Sequence, residues 1–137
     1  MLSVAAPSIP SPEDPYFKRW IAAHGRDAWE SLDRLPSLDP ARALVILKDL
    51  VERACTAQNA ANINLGRWGL LRMPRTWVLS HIEAMIDPLF VAEHDWEYRR
   101  AVELAALLNP QLLITLLAHG DRSSSPGIRE AAADWRR

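Results

Sequence analysis

The 137-residue sequence holds a single cysteine, Cys55. One thiol cannot close an intramolecular disulfide, and without a CxxC pair or a Cys/His cluster there is no framework for structural zinc. Such cysteine usage fits a reducing compartment, and the expected location is the cytoplasm. An excess of one charge is equally lacking. Lys+Arg 16 stand against Asp+Glu 17 for a formal net charge of −1, so no global field steers the chain toward nucleic acid or an anionic membrane. Long apolar runs are missing too. The stretch from Ala101 to Ala118 is broken by Glu103, Asn109, Pro110 and Gln111, and it falls short of the roughly 18 clean apolar residues that signal a membrane span. The opening segment MLSVAAPSIPSPEDP has no basic region and is interrupted by Pro7 and Pro10, so it does not read as a signal peptide. Residues 1–13 are expected to form a flexible tail and 14–137 a single domain.

Catalytic signatures are absent as well. There is no GxSxG elbow, no P-loop, no GxGxxG after a strand and no HExxH, which removes local support for the commonest motif-bearing enzymes. No segment alternates with period two and β-branched enrichment, so no strand is predicted. The composition, 49% hydrophobic and 24% charged, is that of an ordinary globular domain.

What the sequence has is proline in informative places. Five of its ten prolines follow a good N-cap residue: Asp14-Pro15, Asp39-Pro40, Asp87-Pro88, Asn109-Pro110 and Ser125-Pro126. The cap side chain accepts from an unpaired first-turn amide, and proline at the first helical position lacks the donor that would go unused there. Each pair reads as a helix start, although Asp87-Pro88 also follows a helical pattern and can kink or end that helix.

Periodicity supports the reading. Tyr16, Phe17, Trp20 and Ile21 share a face ahead of Gly25, and a short helix through Ala28, Leu32 and Leu35 is expected to stop before Pro36. From Pro40 to about residue 57, Leu44, Leu47, Val51 and Ala54 form an apolar stripe, with Lys48/Glu52 and Asp49/Arg53 spaced i,i+4 on the other side. A weaker helix carries Ile63, Leu65, Trp68 and Leu71, with Gly66 and Gly69 each lowering its propensity by about 1 kcal/mol relative to alanine. Trp77, Val78, Ile82, Met85 and Ile86 mark another. Asp95 is placed to cap a helix burying Tyr98, Ala101, Val102, Ala105 and Leu108. QLLITLLAHG is apolar almost all round and is expected to end at Gly120. Ile128, Ala131, Ala132 and Trp135 complete the pattern.

The C-terminal third repeats itself. Asp95, Tyr98, Arg99, Ala101 and Ala105 recur 30 residues later as Ser125, Ile128, Arg129, Ala131 and Trp135, and a fixed period suggests stacked helical units. Over residues 74–135 the segments DWEYRRAVELAALL and SPGIREAAADW resemble the second helix of HEAT repeats, preceded by PRTWVLSHIEAMI and PQLLITLLAHG. The order of elements is similar to that of small bacterial HEAT-like proteins. The resemblance implies an all-α fold of antiparallel helix pairs stacked as a short HEAT-like α-solenoid, and a compact helical bundle is the alternative.

Candidate chemistry is sparse. His81, Glu83, Glu93 and His94 have atoms suited to a metal or acid–base site, but the i,i+2 spacing of His81 and Glu83 sends them to different sides of a helix, and surface or capping roles are preferred. Cys55 reads as a small core residue rather than a nucleophile. Trp20, Trp77 and Trp135 fall in core phase, while Trp68 and Trp96 are less settled; an exposed Trp beside arginines is a hot-spot type of residue. Charge is segregated locally. Between Arg53 and Ile82 only Arg53, Arg67, Arg72 and Arg75 are charged, whereas from Glu83 to Glu97 the charges are Glu83, Asp87, Glu93, Asp95 and Glu97. The two runs either face partners or neutralise each other across neighbouring helices. The expectation is a non-enzymatic module that binds another protein, in an immunity-type or regulatory adaptor role, through Arg67, Trp68, Arg72, Arg75, Glu93, Asp95 and Trp96. No cofactor, metal or membrane is called for. The alternatives are nucleic-acid binding through Arg67, Arg72 and Arg75, and a small metal-dependent enzyme.

Overall fold

A computed structural model describes residues 4–56, 58–91 and 94–137, with side chains for all of these except 87–91. Among them are nine helices and no strand: α1 Pro15–His24, α2 Arg26–Glu30, α3 Leu35–Leu38, α4 Pro40–Ala54, α5 Ala60–Arg72, α6 Arg75–Val91, α7 Asp95–Leu108, α8 Pro110–Asp121 and α9 Pro126–Trp135.

Four of the five proline pairs begin helices as their chemistry requires. Asp14 accepts from the Tyr16 amide, Asp39 from Arg42, Asn109 from Gln111 and Leu112, and Ser125 from Ile128. Asp87-Pro88 is the exception, lying inside α6. Proline there deprives the Ala84 carbonyl of its helical donor, and the helix continues over a face on which Val78, Ile82 and Ile86 are fully buried.

Other boundaries also move. Asp95 is the first residue of α7 and does not cap it; the cap position belongs to His94, without a side-chain bond. The single helix expected before Pro36 is two short ones, and Pro36 sits in the first turn of α3. Gly120 lies within α8 and does not end it. Asn59, at φ 89°, caps α5 through a bond from the Asn62 amide.

The stripe on α4 is rotated from its expected position. Ala43, Ile46, Leu47, Leu50, Val51 and Ala54 are buried, whereas Leu44 is 38% exposed on its flank. Helix α4 packs most extensively on α5 and also meets α3, α6 and α7, while α7 gathers α6, α8 and α9. One apolar cluster runs from Phe17 to Trp135 through both groups.

Two glycines set the α4–α5 distance. A Cβ built on Gly66 would stand 2.5 Å from the Ala54 nitrogen and 2.5 Å from the Leu50 carbonyl oxygen, both backbone atoms, whereas one on Gly69 would meet the Leu50 methyls at 2.8–2.9 Å. In the C-terminal group Gly120 has the same function. A Cβ there would overlap the Tyr98 hydroxyl, which donates to the Leu116 carbonyl at 2.8 Å.

Ahead of α1, the described part of the expected tail is tied down. Val4 packs on the core and Pro10 is buried. The Ser8 amide donates to Asn64 Oδ1 at 2.9 Å, and Asn64 Nδ2 donates to the Ser8 carbonyl at 2.7 Å.

Candidate functional site

The arginines of the basic stretch are largely committed to the fold. Arg67 Nη2 donates to Glu103 Oε1 on α7 at 3.0 Å, with its side chain only 12% exposed. Arg75 Nη1 donates to the Leu108 carbonyl at 2.6 Å and so closes the C-terminal end of α7. Arg53 pairs with Asp49 at 2.9 Å, the i,i+4 bridge expected from the spacing. Arg72 is exposed. Of the three arginines proposed for nucleic acid, Arg67 is paired with a carboxylate and Arg75 is held by a backbone carbonyl, while Arg72 and Arg75 are exposed. Among the described residues none of them pairs with the acidic run, and Arg67 reaches Glu103, which lies beyond it.

Of the acidic run, Glu93 lies outside the described residues. Asp95 is half-buried, and its Cβ is 3.2 Å from the position a Cβ would take on Gly127, so it packs against the start of α9. Trp68 is half-buried on α5. His81 shares hydrogen bonds with the Trp77 carbonyl and the Ser80 hydroxyl, both at 2.9 Å, and its ring lies 4.8 Å from that of Trp77. Among the described residues no three His, Cys, Asp or Glu side chains converge as metal ligands would. Cys55 is buried at the end of α4, and desolvation pushes its thiol up to about 12, far from the thiolate a nucleophile needs.

Trp96 is different. It is 55% exposed, and the Arg99 guanidinium lies over its ring at 5.5 Å from the centroid. Trp96, Arg99, Arg100 and Glu103 are spaced i, i+3, i+4 and i+7, so helical geometry places them on one face of α7. Together with Ala131 and Trp135 of α9 they line a cleft of about 190 Å³. The cleft's polar wall is a network. Glu103 Oε1 accepts from both Arg100, at 2.6 Å, and Arg67, and Asp134 accepts from Arg99 at 3.1 Å and also from Arg137. Arg99 Nε and Trp135 Nε1 are buried and have no hydrogen-bond partner among the described residues.

Of the residues proposed from the sequence as partner-binding, Trp96 alone lines this cleft. Its neighbours Arg99, Arg100 and Glu103 were legible as one helical face, but Trp135 of α9 joins them through tertiary packing, which no local pattern records. No helix among the described residues is long and apolar enough to cross a membrane. No family model, no curated protein and no solved structure matches the chain.

Proposed function

We propose that the chain is a non-enzymatic protein-binding module of the cytoplasm, of adaptor or immunity type, and that it engages its partner through the α7–α9 cleft. The observation that carries this reading is a half-exposed tryptophan stacked by an arginine at the mouth of a concave apolar site. Trp and Arg dominate interface hot spots, Trp because it adds large contact area at low entropic cost and Arg because its planar guanidinium stacks on rings and bonds in a fixed fork, and clefts that shed water make those contacts count. The wall residues specify the partner's chemistry. Two guanidinium groups share the Glu103 carboxylate, so the complementary surface carries an apolar or aromatic side chain beside a carboxylate.

The HEAT-like reading belongs to the same proposal. The pairs α6–α7 and α8–α9 are in contact, and α7 also touches α9, the adjacency that stacked two-helix units require. Affinity purification of native partners with the wild-type chain and with Trp96→Ala tests the function. The variant should lose at least ninety per cent of the bound partner while keeping its circular dichroism, by the usual cost of about 2 kcal/mol or more at a hot spot. Equal recovery of the same partner by both chains would overturn it.

A further inference from the structure

The Asn64 carboxamide both donates to and accepts from the backbone of one residue, Ser8, at 2.7 and 2.9 Å. That is how one β-strand residue greets another, and it reads main chain rather than side chain. The segment it holds, VAAPSIP at residues 4–10, carries no charge, and its two prolines favour the extended polyproline conformation before it docks. Burial along it is uneven. Pro10 is buried and Val4 packs on the core, but Ile9 is 67% exposed. Beside it, bounded by Ala5, Pro7, Ile63, Asn64 and Arg67, a hollow of about 310 Å³ stays open to the surface.

We propose that this face of α5 is a second binding site, separate from the Trp96 cleft, whose ligand is an extended, uncharged, proline-containing segment of another protein, and that residues 4–10 are its resident competitor. The chemistry of the ligand is given by the segment seated there. Its prolines hold it extended at little entropic cost, and its backbone supplies both bonds to the neutral Asn64 carboxamide, while the Arg67 and Arg100 guanidinium groups that also line the hollow are already engaged by Glu103. Tethering makes the resident segment hard to displace, since an attached ligand acts at an effective concentration of the order of millimolar. Two exposed hydrogen bonds and one buried proline leave it exchangeable.

The probe is a fluorescein-labelled peptide SVAAPSIPSP, with fluorescence polarisation as the readout. Full-length chain carrying Ser8→Pro, which removes the donor from the resident segment and leaves α5 intact, should bind this peptide at least about tenfold more tightly than wild type. A chain that also carries Asn64→Ala should bind about tenfold more weakly than the unmodified pair, as expected for losing both bonds, and a peptide N-methylated at the serine corresponding to Ser8, which loses only the donated one, about threefold more weakly. Absence of saturable binding to Ser8→Pro, or binding indifferent to both N-methylation and Asn64, overturns the proposal. Should Ser8→Pro fail to fold, the wild-type chain decides. About 10 mM unlabelled peptide should shift the Ser8 amide resonance toward its random-coil position, and an unmoved resonance overturns the proposal. A wild-type chain that sediments as a dimer, and as a monomer once Ser8 is replaced, would assign the groove to a second copy's segment instead. None of these measurements involves Trp96, so failure here leaves the cleft reading standing, and the reverse.

Discussion

Gly66 illustrates how a residue can be unfavourable locally and required globally. Alanine would gain the helix about 1 kcal/mol of propensity. Its methyl group, however, would lie 2.5 Å from two backbone atoms of α4, and backbone cannot rotate aside. Overpacking of this kind costs about 1–3 kcal/mol, more when the main chain must shift. Gly66→Ala should therefore destabilise the protein by about 2 kcal/mol in urea titration. Gly69→Ala should cost less than about 1 kcal/mol, because the atoms it meets are Leu50 methyls that can adopt another rotamer. Equal losses at the two positions would show that backbone contact is not what distinguishes them. From the sequence both glycines were visible only as weak points of a helix; their purpose depends on α4, whose approach is a tertiary fact.

At the scale of the element, the helix starts are the part of this fold that could be read directly. A cap needs only an oxygen, a first-turn amide and a proline that wants no donor, all within four residues. Asn109 is the most exacting case. It is the only residue between α7 and α8, and its Oδ1 accepts from Gln111 at 2.8 Å and from Leu112 at 3.2 Å. Asn109→Ala should lower stability by about 1 kcal/mol, measured as a shift in the denaturation midpoint at constant slope. A change below about 0.3 kcal/mol would mean that α8 is held by packing alone. The same reasoning explains the failure at Asp87-Pro88. The dipeptide has the right local chemistry, but whether a helix begins or continues there depends on burial of Val78, Ile82 and Ile86 against the remainder of the core, which the dipeptide does not contain. The rotation of the α4 stripe past Leu44 has a similar origin, since both Leu44 and Leu50 are apolar and only the arrangement of neighbours selects between them. The cleft was half legible: the four residues on α7 follow from spacing, but the Arg67–Glu103 bridge joins positions 36 apart in sequence, and no periodicity finds it.

The whole molecule carries a signature in its response to alkali. Cys55 and Tyr98 are both buried, and desolvation raises both, the thiol to about 12 and the phenol above its ordinary value of 10.0, with Asp121 adding to the phenol's shift. Below about pH 8 each group is neutral whether the chain is folded or not, so neither affects stability. Above that, the unfolded thiol releases its proton while the folded one retains it, and the unfolded state binds fewer protons. The contribution of these groups should therefore be flat from neutrality to about pH 8, bend downward through pH 9, and then fall by about 1.4 kcal/mol per pH unit for each group titrating only in the unfolded chain. Cys55→Ala should make the decline shallower between pH 9 and 12, read by urea denaturation across that range. An unchanged slope would place the alkaline loss elsewhere.

Arg100 stands in the wall of both hollows, the cleft beneath Trp96 and the groove beside Asn64. One side chain cannot take two positions at once, so a visitor that reorients it at either place alters what the other offers. Thermodynamic reciprocity then applies: whatever factor the first guest imposes on the second, the second imposes on the first. Were both proposed sites filled, two guests would sense each other through a single guanidinium group, with no movement of the helices.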